Sequence, residues 1–501
     1  MKKIQFRLIP VIFIAMAAFI LLPQCQSLDE NPAGTLVTDQ FYQTEEDLDA
    51  ALTGVYAQLC YNRWGGIGHT GHWVPMMGAD DLTTQTGKTN EIQADVFNLS
   101  STNTQLKAAS WTPQYRIIYA ANSVLANADN TSASADVISE AKAEACFLRA
   151  WAYFWLVRVF GEVPINLSNA IDYTLPKSEV SEVYAQIVED LNYSIANLQK
   201  DKTSSVGRPG KLAAKALLSQ VYLQMTGWPL NDTSKYALAA SNAKDVIESG
   251  SYRLLDDFAD LWDAALVSDG NEEVIWAIIF CSYNVCGNSN MNTFCGYNTQ
   301  PGEEGGWDQI FCEVGFFNRF PAGVRKDATF LTVFTDPSDT TKKTKWEDSK
   351  YAHPFLKKYR AGMIPTEANY GGNRYMGGRD LNYLRLAEVY LIYAEAEARA
   401  DGGPNALAYQ CINATRNRAG LSDLQAGLSE DAFCDSVLVE KGWELCGEYS
   451  RWFDLVRTEK VAEMNALKDP TDNQPVNTIT EDCYFAPIPN DEVLLNPLLG
   501  Q

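Results

Sequence analysis

The sequence predicts an all-α fold, a scaffold of packed helix pairs carrying one long irregular insertion, and three observations predict it. The stretch Phe147–Phe160 is apolar or aromatic almost all round, broken only by Arg149 and Arg158, and a helix without a polar face has to be enclosed by other helices. Segments of helical periodicity recur in pairs on either side of it, punctuated by glycine and proline. Between about residues 280 and 378 the periodicity stops and glycine, asparagine and aromatic residues take over, as in a loop region borne by a rigid frame.

Taken in order, the chain opens with an address. Lys2, Lys3 and Arg7 precede an apolar run from Leu8 to Leu22, too short to span a bilayer and suited to a secretory signal over residues 1–24. The run ends in Leu22-Pro23-Gln24-Cys25, which resembles a bacterial lipobox with Cys25 as the lipid acceptor, although Gln24 stands where a small residue is usual. Multiple acyl chains on Cys25 would anchor the protein to a membrane, each buried methylene contributing about 0.8 kcal/mol. Residues 25–501 are read as one domain, with scaffold helices mainly in 40–60, 111–250 and 381–460.

Thr44 caps the first scaffold helix, with Asp47 closing the box and Leu48, Leu52, Val55 and Leu59 on one face. A glycine-rich loop over 61–90 carries Trp64, His69, His72, Trp73, Asp80 and Asp81. Trp111–Asn127 and Ala135–Phe160 form a helical hairpin, which Gly161 and Pro164 end. Tyr184, Ile187, Val188, Leu191, Ile195 and Leu198 share one helical face, and Lys211–Met225 and Tyr236–Ser249 continue the pattern. After the insertion, Tyr383–Ala400, Ala406–Ala419 and Asp431–Arg457 return to it. The spacing of these pairs, roughly 30 to 45 residues, resembles tetratricopeptide-like units.

Composition narrows the function. A formal charge of -23 repels phosphate backbones, so nucleic acid is a poor partner. Of the eleven cysteines, Cys146, Cys411, Cys434 and Cys446 fall in helical patterns, where a free thiol acts as a small apolar group. Cys281, Cys286, Cys295 and Cys312 share the loop-rich region, and disulfide pairing among them stays open. No Cys-x-x-Cys suggests zinc.

Patterns that carry chemistry fail on context. Gly66-Ile-Gly-His-Thr-Gly71 follows a helix rather than a strand and runs into Trp73 and Pro75, and Gly87-Lys-Thr89 lacks the leading glycine of a phosphate loop. His69 and His72 near Asp80 and Asp81 suit hydrogen bonding better than metal binding. Glu388 and Glu395 imitate a glycosidase pair, but seven helical residues set their Cα atoms about 10.5 Å apart. Arg385 and Arg399 stand three and four residues from them, which reads as scaffold ion pairing. Glu448, Arg451, Asp454 and Arg457 read the same way. No cofactor is called for.

Six segments then add up to a family. Phe41-Tyr-x-Thr; Phe147-Leu-Arg-Ala-x-x-Tyr-Phe-x-x-Val-Arg-x-Phe-Gly-x-x-Pro164; Gly207-Arg-Pro with Ala213-Ala-Lys-Ala-Leu217; Leu384-Arg-Leu-Ala-Glu-Val-Tyr-Leu-Ile-Tyr-Ala-Glu-Ala396; Gly447-Glu-Tyr-Ser-Arg-Trp-Phe-Asp-Leu-Val-Arg457; and Pro487-Ile-Pro489 with Asn496-Pro497 together resemble the SusD/RagB family, nutrient-binding outer-membrane lipoproteins of Bacteroidetes. The resemblance implies four tetratricopeptide-like helix pairs and an irregular ligand-binding half. It implies a cell-surface protein on the outer membrane that captures a glycan and passes it to a SusC-like TonB-dependent barrel, without catalysis. Peptide capture, as in RagB-like members, and a surface glycoside hydrolase are the alternatives.

A sugar site needs flat rings for the C–H faces and amides, carboxylates or guanidinium groups for the hydroxyls. Trp307 leads, because it follows Gly305-Gly306 where relatives in the family often present a stacking aromatic. Trp73, Tyr283 and Tyr297 are the next candidate rings. Asp80, Asp81 and Asn98 are candidate hydrogen-bonding groups from the first loop, and Arg325 from the insertion.

Overall fold

The computed structural model describes residues 41–60, 72–262, 271–280, 307–335, 339, 341–359 and 380–500. The signal segment, Cys25, Trp64, His69, Tyr283, Tyr297, Cys281, Cys286 and Cys295 lie outside the described residues.

The expected helices form for the expected reasons. Helix α1 (Glu45–Leu59) starts at Thr44, whose hydroxyl accepts from the Asp47 N–H while the Asp47 carboxylate accepts from the Thr44 N–H at 2.8 Å. It is followed by a short α2 (Glu91–Asp95), α3 (Thr112–Asn127), α4 (Ala135–Phe160), α5 (Val180–Asn197), α6 (Lys211–Met225) and α7 (Tyr236–Glu248). Beyond the insertion come α8 (Leu386–Asp401), α9 (Ala406–Arg418), α10 (Glu430–Glu444) and α11 (Arg451–Arg457). Sequential helices pack as neighbours, α3 on α4, α4 on α5 and α6 on α7, and α8 closes the array by lying against α7, α9 and α10. No helix among the described residues is long and apolar enough to cross a membrane.

Helix α4 is the enclosed centre. Every residue from Ala143 to Phe160 is buried, and its rings interlock edge to face, Phe147 and Trp151 with Trp276 at 5.1 and 5.8 Å and Trp155 with Phe453 at 5.8 Å. Burying each such ring contributes about 1.5–3 kcal/mol. Both interior arginines are satisfied. Arg149 forks onto Asp190 of α5 at 2.6 and 2.8 Å and reaches Asn122 of α3 at 2.8 Å, tying three helices together. Arg158 lies between the Phe154 and Phe453 rings and donates to the Tyr383 hydroxyl at 3.0 Å. Gly161 then ends the helix at φ 71°, a conformation that costs little only without a side chain.

Two expected boundaries are corrected. Leu381–Arg385 is a strand, not the start of a helix; it pairs antiparallel with Val274–Ile278, so this two-stranded ladder gathers both ends of the insertion. The expected helix Asp431–Arg457 breaks between α10 and α11, where Gly447 sits at φ 74° and Tyr449 at φ 65°. There the Gly447 N–H leaves the helical ladder and donates to Asp81 at 3.0 Å.

The insertion also carries more order than its composition suggests. Phe311–Cys312 lies between Leu82–Thr83 of the first loop and Phe355–Leu356, which pairs in turn with Phe330–Leu331. The first loop is thereby sewn to the insertion. Cys312 is a buried free thiol on this sheet, and Cys146, Cys411 and Cys434 are free and buried in helices.

Candidate functional site

Trp307 opens the longest described stretch of the insertion, and first-loop side chains hold the backbone after it. Asp308 adopts a left-handed conformation at φ 51°, sparsely populated by non-glycine residues. Its carbonyl accepts from Gln85 Nε2 at 2.6 Å, its carboxylate accepts from the Tyr351 hydroxyl at 3.3 Å, and the next carbonyl, Gln309, accepts from Thr84 Oγ1 at 2.6 Å. Phe311 stacks on the Tyr351 ring at 5.2 Å, and Lys350 Nζ lies 4.7 Å from the centre of the same ring. Trp307, Gln85 and Tyr351 are half-buried and Lys350 is exposed. The result is a half-buried tryptophan at the head of a segment whose next residues engage an amide and a phenol, with Asp308 itself buried; flat rings and hydrogen-bonding groups are what a polyhydroxylated ring requires.

His353 braces this rim from beneath. Its Nδ1 faces the Tyr351 carbonyl at 2.6 Å and its Nε2 faces Asp472 at 3.1 Å. Asp472 also accepts from the Val314 and Gly315 N–H groups at 2.7 and 3.1 Å. Burial opposes ionisation of Asp472, but these hydrogen bonds outweigh it and hold the carboxyl below its ordinary value.

Four of the expected site residues are elsewhere. Trp73 is fully buried between Tyr449 at 5.6 Å and Tyr359 at 5.4 Å, so it is a core ring rather than a platform. Asp80 is buried under Arg451, whose Nε and Nη2 approach it at 2.7 and 3.1 Å, with Arg319 at 3.1 Å. Asp81 accepts from Gly447, and its own carbonyl accepts from the Glu313 N–H at 3.2 Å; burial pushes its carboxyl up to about 6. Arg325 is buried with Nη1 on Glu440 at 2.6 Å and Glu444 at 2.8 Å. In each case a partner far along the chain has claimed the group. Asn98 is exposed, but on the lip of a separate cavity of about 350 Å3 against the segment 477–487.

The remaining ionisable candidates are structural. His72 is buried, stacked 3.6 Å from Trp155, with burial driving its imidazole down to about 3; it is a neutral core residue, and no group of three metal-binding side chains occurs among the described residues. Glu395 is gripped by both terminal nitrogens of Arg457 at 2.6 Å. Glu388 accepts from Gln220 at 3.0 Å with Lys441 at 3.5 Å. Ion pairing is thus found, but with partners other than the expected ones. Arg385 instead joins Glu273, Glu444 and Glu448, and Arg399 joins Glu430 and Asp431. Asp454, Arg457, Glu448 and Arg451 do bind the last helices to the scaffold, as expected. Sequence reasoning missed Gln85, Asp308 and Tyr351; adjacency to Trp307 was a usable signal only for Asp308.

Similarity to known proteins is consistent over the chain. Residues 322–501 match the model of the SusD family, and residues 27–223 match the model described as starch-binding associating with outer membrane. Trp307 falls in the stretch that neither match includes. SusD-like protein P2 of Formosa agariphila is 27% identical over 503 residues, covering 94% of this chain and 95% of its own. The crystal structure of a SusD superfamily protein from Parabacteroides distasonis has a TM-score of 0.79 at 23% identity, covering 93% of this chain and 98% of that one. Surface glycan-binding protein A from Bacteroides uniformis has a TM-score of 0.76 at 26% identity, covering 91% and 98%.

Proposed function

The chain belongs to the SusD family, and from that footing we propose that it is a non-catalytic glycan-binding protein of the outer-membrane surface. It captures an oligosaccharide or polysaccharide at the Trp307 rim and delivers it to a SusC-like TonB-dependent barrel, held to the membrane by a lipid on Cys25. The observation that carries the binding half is the half-buried Trp307, with the backbone on its C-terminal side fixed by the Gln85 and Thr84 hydrogen bonds at 2.6 Å. A platform held in place loses little freedom on binding, so more of its contact energy remains as affinity. Shielding about 100 Å2 of apolar surface on such a ring contributes roughly 2.5 kcal/mol before ordering costs.

The locked carboxylates speak against a hydrolase. A glycosidase needs one carboxyl free to give a proton and another facing the sugar, whereas Glu395 is bidentate on Arg457 at 2.6 Å and Glu388 is buried beside Lys441. Glycan-array screening of the mature protein tests the reading, followed by calorimetry on Trp307→Ala. We expect a family of oligosaccharides to bind and the variant to lose about 10- to 50-fold in affinity with little change in melting temperature. Unchanged affinity in Trp307→Ala, binding of peptides in place of sugars, or turnover of the bound oligosaccharide would each overturn it. Co-purification with a plugged barrel tests delivery.

A further inference from the structure

The cavity of about 350 Å3 beside Asn98 shares no lining residue with the Trp307 rim. It lies between the turn after α2 and the C-terminal segment, and Phe97, Trp452, Tyr484 and Phe485 wall it. We propose that it is a second sugar subsite, taking a single pyranose ring of the captured glycan. The inference rests on the glycan reading above and adds to it a place and a size.

Its dimensions argue for one ring. Small-molecule pockets run from about 300 to 1,000 Å3, and this one stands at the lower end of that range. Its walls supply apolar faces. Phe485 is half-buried and leans on Trp228 at 4.7 Å, while Phe97 and Trp452, both buried, meet each other within the wall at 6.3 Å. Its rim supplies hydroxyl partners. Asn98 and Asp482 are exposed, and neither side chain makes a hydrogen bond or ion pair among the described residues. An amide and a carboxylate standing unpaired beside four aromatic rings match the alternation of C–H face and hydroxyl edge on a pyranose.

The backbone here is held in a costly shape. Phe97 sits at φ 58°, which costs an aromatic residue about 1–3 kcal/mol. Three hydrogen bonds hold it there: Phe97 N–H to the Ala94 carbonyl at 3.1 Å, Asn477 Nδ2 to the Phe97 carbonyl at 2.8 Å, and Val476 N–H to the Val96 carbonyl at 3.0 Å. The consequence is a Phe97 ring turned into the wall and an Asn98 amide left at the mouth.

Cys483 provides the reporter, because its thiol is half-buried in the same wall. Alkylation of the full-length protein, followed by peptide mass spectrometry at Cys483, is run with and without a panel of gluco-, manno-, xylo- and galacto-hexasaccharides. The saturating sugar is expected to slow modification of Cys483 by about threefold or more. Combined Asn98→Ala and Asp482→Ala should remove that protection and weaken binding about three- to tenfold, while Asp482→Asn retains most of both. Equal alkylation rates with and without a hexasaccharide whose binding Trp307→Ala still weakens would overturn the subsite and leave the proposed function standing. If neither the glycan array nor this panel yields a binding sugar, both are overturned.

Discussion

Trp73 and Trp307 are the same residue in similar settings, each in a glycine-rich segment beside aspartates, and the fold treats them oppositely. The first loop is taken over by the end of the chain. Arg451 grips Asp80, Gly447 donates to Asp81, Tyr449 stacks on Trp73, and Asn465 donates to the Gly78 carbonyl at 2.9 Å. The Trp307 segment is fixed largely through main-chain carbonyls, Asp308 to Gln85 and Gln309 to Thr84, and the buried Asp308 carboxylate also takes the Tyr351 hydroxyl at 3.3 Å. A loop held almost wholly by its side chains has little left for a ligand; one held largely by its backbone has more.

The sharpest way to break this contrast is to truncate both rings. Trp73→Ala empties a fully buried site and should cost about 3–5 kcal/mol of unfolding free energy in urea titrations, with glycan affinity per folded molecule kept. Trp307→Ala should do the reverse. If the two variants lose stability equally, the distinction between a structural and a presenting loop fails.

That contrast also marks what the sequence could tell. The apolar run Phe147–Phe160 and the periodic segments after it read correctly, because burial on every face and a repeat of 3.6 residues are local properties. The ends of α4 and α6 were legible for the same reason. The strand Leu381–Arg385 was not, since its partner Val274–Ile278 lies across the whole insertion. Asp80 and Asp81 were misread for an equally non-local cause: their partners Arg451 and Gly447 stand some 370 residues further along. Nothing near Arg325 announces Glu440 and Glu444. The Trp307 segment is equally non-local, since Gln85 and Thr84, which hold the carbonyls after it, stand 223 and 225 residues before them.

Asp81 gives the second test, in pH. An unfolded aspartate ionises near 3.9, whereas burial pushes the folded Asp81 carboxyl up to about 6. Between those values the folded chain keeps a proton that the unfolded chain has released, so stability falls as pH rises through the window, by at most about 3 kcal/mol. Asp81→Asn carries no such proton and retains an acceptor for the Gly447 N–H. Urea titrations from pH 4 to 7 should show a flatter dependence for the variant, which above pH 6 should equal or exceed the wild type. A variant with the wild-type slope but weaker glycan binding would return Asp81 to the ligand site.

The smallest effect probes how the rim is braced. Tyr351→Phe removes the hydroxyl that donates to Asp308 at 3.3 Å and accepts from Lys350 Nζ at 3.0 Å, and keeps the ring stacked on Phe311 at 5.2 Å. A long, half-buried hydrogen bond to a carboxylate contributes about 1 kcal/mol or less. Most of the rigidity of Asp308 comes instead from Gln85 at 2.6 Å and from the strand that begins at Phe311. Calorimetry should therefore find glycan affinity reduced by about two- to fivefold, with the melting temperature nearly unchanged. A loss as large as that of Trp307→Ala would mean that the hydroxyl touches the sugar itself, making Tyr351 a binding group in its own right. No loss at all would mean that the backbone clamp alone sets the position of Trp307, the strongest form of the contrast with the first loop.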